Sequence, residues 1–277
     1  MSGCAKRLRL DGRPCGMHNE ARSRELPIAR RSSGSSTKSS EVLIVKPYRR
    51  YPRNSQPPYL YPPYRLTIAR APRKPLIVLP QTLSEVTGPI FGHDAIGETD
   101  SDLTRQHEGE PLGERITVSG RVLDDNGRPV PNTLIELWQC NAAGRYRHRI
   151  DQHHAPLDPN FSGAGRTMTD DEGNYRFVTI KPGPYPWENH PNAWRPAHIH
   201  FSLYGTAFAT RLVTQMYFPG DPLFPFDPIF NSVRDERARQ RMIARFEINR
   251  TEPGWALAFR YDIVVRGQEA TPFERKE

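Results

Sequence analysis

Apolar and polar positions alternate in short runs along most of the chain. Ile116–Leu123 (ITVSGRVL) alternates with period two, as a half-buried strand does. Asp124-Asp125-Asn126-Gly127 follows it, a strong hairpin-turn signal, and Thr133–Gln139 (TLIELWQ) is the next strand. Asn174–Ile180 (NYRFVTI) follows the turn Asp170-Asp171-Glu172-Gly173, and His198–Tyr204, Arg211–Phe218 and Ala256–Val265 read as further strands. One helix is expected, Val233–Phe246, where Val233, Ala238, Met242 and Phe246 fall near a 3.6-residue repeat. Short strands with frequent turns predict an all-β chain, an antiparallel sandwich or barrel with long loops. No internal repeat is present, and one domain accounts for most of the length.

The first 64 residues break this pattern. Lys46–Tyr64 (KPYRRYPRNSQPPYLYPPY) holds six prolines, which forbid a regular helix and favour an extended arm that packs on a body or a partner. Ahead of it, Arg30–Ser40 (RRSSGSSTKSS) is low-complexity and has no periodicity. The expected organisation is a disordered basic tail over 1–45, an extended arm over 46–75 and a β-sandwich catalytic domain over 76–277.

Composition sharpens this division. Of 277 residues, 28 are Pro and 20 Gly, which favours strands joined by rigid turns over an all-helical fold. The net charge of +8 sits at one end: residues 1–53 hold 13 Lys/Arg against 4 Asp/Glu, and residues 54–277 hold 26 against 27. The tail over 1–45 has no aromatic residue and no zinc-ligand spacing, so nucleic acid is not expected as a partner. A solvated tail, or a start site at Met17, accounts for it. No apolar run reaches the roughly 18 residues of a membrane span, and no signal-peptide core stands at the N-terminus. Cys4, Cys15 and Cys140 are too few for a disulfide scaffold, so a reducing, cytoplasmic setting is expected.

Chemistry concentrates in Arg195-Pro196-Ala197-His198-Ile199-His200-Phe201. In a strand His198 and His200 share one face, ~7 Å apart, and both imidazoles can reach one metal. The alternative is a pair of hydrogen-bonded histidines on a half-buried strand. No Cys pair has metal-ligand spacing, and the adjacent His153-His154 lies in a polar loop. Tyrosines are plentiful instead. Tyr185 stands in the rigid loop KPGPYPW before the histidine strand, and Tyr146 in Gly144-Arg145-Tyr146 after TLIELWQ. A phenolate is a hard anionic donor that suits a trivalent cation, and a phenol of pKa ~10 ionises only beside a strong positive charge. Either tyrosine taken alone also reads as a buried ring with its hydroxyl satisfied.

These motifs resemble the intradiol ring-cleavage dioxygenases. Val118-Ser119-Gly120-Arg121-Val122, then Gly127, Val130, Ile135-Glu136-Leu137 and Gly144-Arg145-Tyr146 are similar to that family's signature. KPGPYPW and RPAHIHF resemble its two other metal-bearing motifs, and Ile77–Phe91 resembles the stretch leading into the domain. The resemblance covers about residues 64–277. Within the family, Tyr146–Phe161, KPGPYPWEN and Thr214–Pro222 look like the iron-bearing subunit of the two-subunit members. The Pro/Tyr arm cannot be the helical dimerisation segment of the catechol-cleaving members.

The resemblance implies a β-sandwich with non-haem Fe(III) held by Tyr146, Tyr185, His198 and His200. Tyr185 would be the ligand displaced when substrate binds. Arg195 and Gln215 would act on the substrate. Tyr64, Trp138, Trp187 and Ile229 would form its walls, with Tyr64 near a substrate carboxylate. The implied substrates are protocatechuate (3,4-dihydroxybenzoate) and O2, and the implied product is 3-carboxy-cis,cis-muconate. The implied partner is an α subunit in an (αβ)n assembly. Catechol, hydroxyquinol and other substituted catechols are the alternative substrates, and a metal-free transthyretin-like binding module is the alternative outside enzymology.

Overall fold

The computed structural model describes residues 51–75, 96–205 and 212–273. The tail over 1–45, the Ile77–Phe91 stretch and Arg211 lie outside the described residues. Eleven strands are described: β1 Arg115–Leu123, β2 Leu134–Trp138, β3 Ala164–Met168, β4 Asn174–Ile180, β5 Tyr185–Pro186, β6 Trp194–Arg195, β7 His198–Tyr204, β8 Leu212–Tyr217, β9 Arg245–Phe246, β10 Leu257–Arg260 and β11 Ile263–Val264. They form two main sheets. One has the order β11-β1-β10-β9 with β4 also on β1; the other is β3-β2-β7-β8, and β5-β6 is a separate two-stranded ribbon. The second sheet is antiparallel throughout, as expected of the sandwich. The first is mixed, because β1 pairs antiparallel with β4 but parallel with both β10 and β11.

The core lies between the sheets and follows from period-two alternation. Ile116, Val118, Phe177 and Ile180 from one sheet pack with Ile135, Leu137, Ile199, Phe201, Leu203 and Met216 from the other. Phe177 and Phe201 meet edge-on with centroids 6.2 Å apart. Burying side chains of this size contributes roughly 1.5–3 kcal/mol each. Since Ile199, Phe201 and Leu203 point inward, His198 and His200 point to the opposite face of the sheet. That face is covered in turn. Tyr217 packs with Phe230, Val233, Ala238 and Met242 in a second apolar cluster, so all six residues of β8 are buried.

The expected helix over Val233–Phe246 shrinks to one short helix, Glu236–Gln240. Asp235 starts it by accepting a hydrogen bond from Ala238 N at 2.8 Å. Beyond it, backbone groups find partners in strands: Tyr217 N donates to Met242 O and Ala244 N to Tyr217 O, while Arg245–Phe246 pairs with β10. Tertiary pairing overrides the helical repeat. Short helices not expected from sequence stand at Leu66–Arg70 and Pro228–Asn231. The 124–127 turn does close, with Asp124 N donating to Arg128 O at 2.9 Å, yet the chain then crosses to the other sheet, where β2 pairs with β3 and β7. Ala256–Val265 is broken at Tyr261-Asp262, where the Asp262 carboxylate takes the Arg121 N–H in place of a strand carbonyl. β3 (AGRTM) carries no strand signal in the sequence: none of its residues is fully buried and its apolar positions do not alternate.

The described part of the arm lies along the body. Asn189 Nδ2 donates to Pro63 O, its Oδ1 accepts from Arg65 N, and Gln56 exchanges hydrogen bonds with Thr271 and Phe273. Among the described residues, no helix is long and apolar enough to cross a membrane.

Candidate metal centre

Two loops and one strand bring the four expected ligand side chains together. The loop after β2 is built by Asn141, whose Oδ1 accepts from Ala143 N and Arg145 N and whose Nδ2 donates to Pro156 O. Asp151 then fixes Tyr146 by accepting its backbone N–H at 2.7 Å. The loop carrying Tyr185 lies against it, with Gly183 N donating to Asn141 O at 3.0 Å. Gly144 makes this approach possible. Its φ is +80°, and a Cβ there would overlap the Pro184 carbonyl oxygen and come within 3.2 Å of the Tyr185 Cβ. Gln139 anchors the start of the loop to the opposite sheet through Ile180 O and Thr179.

The rings of Tyr146 and Tyr185 meet edge-on at 5.4 Å, Tyr185 and His198 at 5.5 Å, and His198 and His200 at 4.9 Å. His198 Nδ1 donates to Pro196 O at 2.7 Å, which leaves the Nε2 lone pair facing the Tyr185 hydroxyl at 3.4 Å. Burial, then Arg195 and His200, hold the His198 pKa well below the ordinary histidine value, so the imidazole is neutral and able to ligate. Burial raises the pKa of both phenols, with the Tyr185 phenol adding to the effect at Tyr146. The buried Tyr146 hydroxyl has no hydrogen-bond partner of normal geometry. Among the described residues, no group of three or more His, Cys, Asp or Glu side chains could hold a metal ion. A donor set of two neutral imidazoles and two desolvated phenols therefore fits a highly charged cation, the partner that allows a phenol to ionise.

Arg195 is not on the surface. It lies on β6 opposite Tyr185 on β5 and is fully buried. Its Nη1 faces His198 Nε2 at 3.2 Å, and its Nη2 donates to Gln215 Oε1 at 2.6 Å, to the Tyr217 hydroxyl at 2.9 Å and to Asp227 Oδ2 at 3.0 Å. The guanidinium lies 5.5 Å from the Trp187 ring centre, and Trp187 lies 5.5 Å from Tyr64. Tyr64, Gln215 and Ile229 line a cavity of about 500 Å³ between the arm and the body. The four candidate ligands are not on its wall, and Gln215 is the link between cavity and cluster. Trp138 lies flat on His200, 4.8 Å away, and lines a separate groove with Glu136 and Arg166. Tyr217 and Asp227 received no role from sequence. An Asp before Pro reads only as a helix cap.

A dioxygenase family model matches residues 86–267, and a model for the N-terminal part of the protocatechuate 3,4-dioxygenase beta subunit matches residues 48–82. The chain is 60% identical over 223 residues to the protocatechuate 3,4-dioxygenase beta chain of Burkholderia cepacia, covering 80% of this chain and 94% of that one. It is 29% identical over 208 residues to the alpha chain from Pseudomonas putida, covering 72% and 98%. Among solved structures, 3-chlorocatechol 1,2-dioxygenase from Rhodococcus opacus 1CP aligns at 25% identity with a TM-score of 0.47, covering 64% of this chain and 69% of that one. The extent of the family match and the identity to a nearly full-length relative establish that the chain belongs to the intradiol ring-cleavage dioxygenase family.

Proposed function

We propose that the chain is the catalytic β chain of a protocatechuate 3,4-dioxygenase. The observation that carries this is the convergence of the half-buried Tyr146, Tyr185 and His200 with the buried His198 beside a fixed, buried arginine. Those four side chains would hold a ferric ion, which would serve as Lewis acid and template for a chelating catecholate. Residues 76–277 form the catalytic unit, and 46–75 an arm that closes it. The similarity of separate alpha and beta chains supports assembly with an α chain. The free thiol of Cys140 accords with a cytoplasmic setting.

The protein's own groups divide the remaining work. A catechol arrives with two hydroxyl protons, and Tyr185, which lies next to His198 Nε2, would take one of them once the cation holds it as a phenolate. Arg195 carries a permanent positive charge in a water-poor site, where it stabilises negative charge developing on the ring. Gln215 holds that guanidinium and reaches the cavity, linking ring to wall. Trp187 and Ile229 form apolar walls. Tyr64 supplies the polar contact for the substrate carboxylate, which selects protocatechuate over catechol. Cleavage between the two hydroxyl-bearing carbons places both atoms of O2 in the product, 3-carboxy-cis,cis-muconate.

An anaerobic visible spectrum, titrated with protocatechuate, tests the proposal on the protein co-expressed with an α chain. A phenolate-to-ferric charge-transfer band that shifts to saturation is expected. A band that responds to catechol but not to protocatechuate would overturn the substrate. A colourless protein that takes up no iron on reconstitution would overturn the dioxygenase assignment of the site.

A further inference from the structure

The cluster around Arg195 turns on one carboxylate. Asp227 is fully buried. Its Oδ2 accepts from Arg195 Nη2 at 3.0 Å and from the Tyr217 hydroxyl at 3.1 Å. Its Oδ1 accepts from the backbone N–H of Ile229 at 2.9 Å, at the start of the Pro228–Asn231 helix. Among the described residues, Asp227 is the only acid in ion-pair contact with Arg195. A single side chain thus joins the guanidinium to Ile229, which lines the cavity. A buried ion pair adds little net stability, because desolvation offsets most of the attraction. What it does supply is orientation. With Nη2 held by three acceptors, Nη1 is left facing His198 Nε2.

We propose that Asp227 is a positioning residue for the reaction: it aims the Arg195 guanidinium at the reacting ring and sets Ile229 in register with it. This rests on the dioxygenase reading above. Arg195 is the group that meets developing charge, and Asp227 acts through it.

The test is Asp227→Asn in the assembled protein, measured by steady-state turnover, anaerobic protocatechuate titration, iron content and thermal melting. Asn keeps the shape and can keep the bond to Ile229 N while losing the charge. A mis-aimed group costs roughly 10- to 100-fold in kcat, whereas the anaerobic dissociation constant should move less than about threefold and iron content should hold. In an Arg195→Gln background the same substitution should have no further effect on kcat, because the group it aims is gone. A kcat for Asp227→Asn within about twofold of wild type would overturn the proposal, as would its full loss appearing on top of Arg195→Gln. Should Asp227→Asn fail to accumulate, Tyr217→Phe removes one bracing hydroxyl and leaves the carboxylate. A lowered kcat with intact melting is then expected, and unchanged kcat would overturn the proposal. Absence of turnover in the wild type would sink the dioxygenase reading instead.

Discussion

Gly144→Ala separates the two demands that the site makes on one residue. The first is conformational. At φ +80° an alanine sits in the left-handed region at a cost of about 1–2 kcal/mol. The second is steric. The new methyl overlaps the Pro184 carbonyl oxygen, which belongs to backbone and cannot swing away, and overpacking of this kind costs about 1–3 kcal/mol. Together they remove about 2–5 kcal/mol from a total stability on the order of 5–15 kcal/mol. For a domain of this size each kcal/mol lowers Tm by about 2–4 °C, so a drop of roughly 4–20 °C is expected.

Gly127→Ala is the matched control. Its φ is +75°, yet a Cβ there meets nothing within 4 Å, so only the conformational cost applies, about 1–2 kcal/mol. Gly127 also lies in a turn remote from the ligands, and turnover should be untouched. Relief of the Gly144 overlap parts the Tyr146 and Tyr185 loops, and a misplacement near 1 Å costs on the order of 100-fold in rate. Calorimetry and protocatechuate turnover on both variants give the answer. Equal melting temperatures, with full activity in Gly144→Ala, would show that the close approach of the two loops does not hold the site together.

Other outcomes follow from the same geometry. Tyr185→Phe should retain iron but slow substrate binding in anaerobic stopped flow, since the proton acceptor is lost; His200→Ala should lose the metal, measured by elemental analysis. Tyr64→Phe should raise KM for protocatechuate and leave catechol kinetics unchanged. Cys140, buried with its thiol pKa pushed up to about 12, should resist iodoacetamide at pH 8 in the native protein and react in denaturant, as read by mass spectrometry. The same thiol, with Tyr175 and Tyr261, has a folded pKa above its unfolded value, so its contribution is whole below the unfolded values of 9.0 and 10.0; melting temperature should fall as pH rises past them. Deleting residues 1–45 should leave both melting and turnover unchanged.

The sequence discloses what depends on neighbours in the chain. Strands β4 and β7 stand where alternation places them, because Tyr175, Phe177, Ile199 and Phe201 bury one face in the sandwich. The same rule puts His198 and His200 on the other face. Val233–Phe246 fails for the converse reason. Its spacing satisfies a helix, but Met242 and Ala244 exchange hydrogen bonds with Tyr217 on β8, a strand some 25 residues earlier that no local repeat reveals. β3 is illegible because no residue of this edge strand is fully buried, so neither of its faces requires apolar side chains.

Within the site the same boundary separates ligands from the groups that aim them. Each candidate ligand sits in a run whose residue types announce it: a glycine-led tyrosine, a proline-framed tyrosine, two histidines at period two. Asp227 announces nothing. Its neighbours Phe226 and Pro228 suit a capped turn in any protein, and its partners come from β6, β8 and the backbone of Ile229. A charge acquires meaning only when burial removes water and leaves one counter-charge within reach. That condition is created by the 224–243 segment folding over β8, which also buries Tyr217 and fixes where Arg195 must point. The chemistry of the centre is therefore local, and its orientation is tertiary. Substitutions at 146, 198 or 200 should act through metal retention, that at 185 through substrate binding, and those at 217 or 227 through kcat with the metal in place.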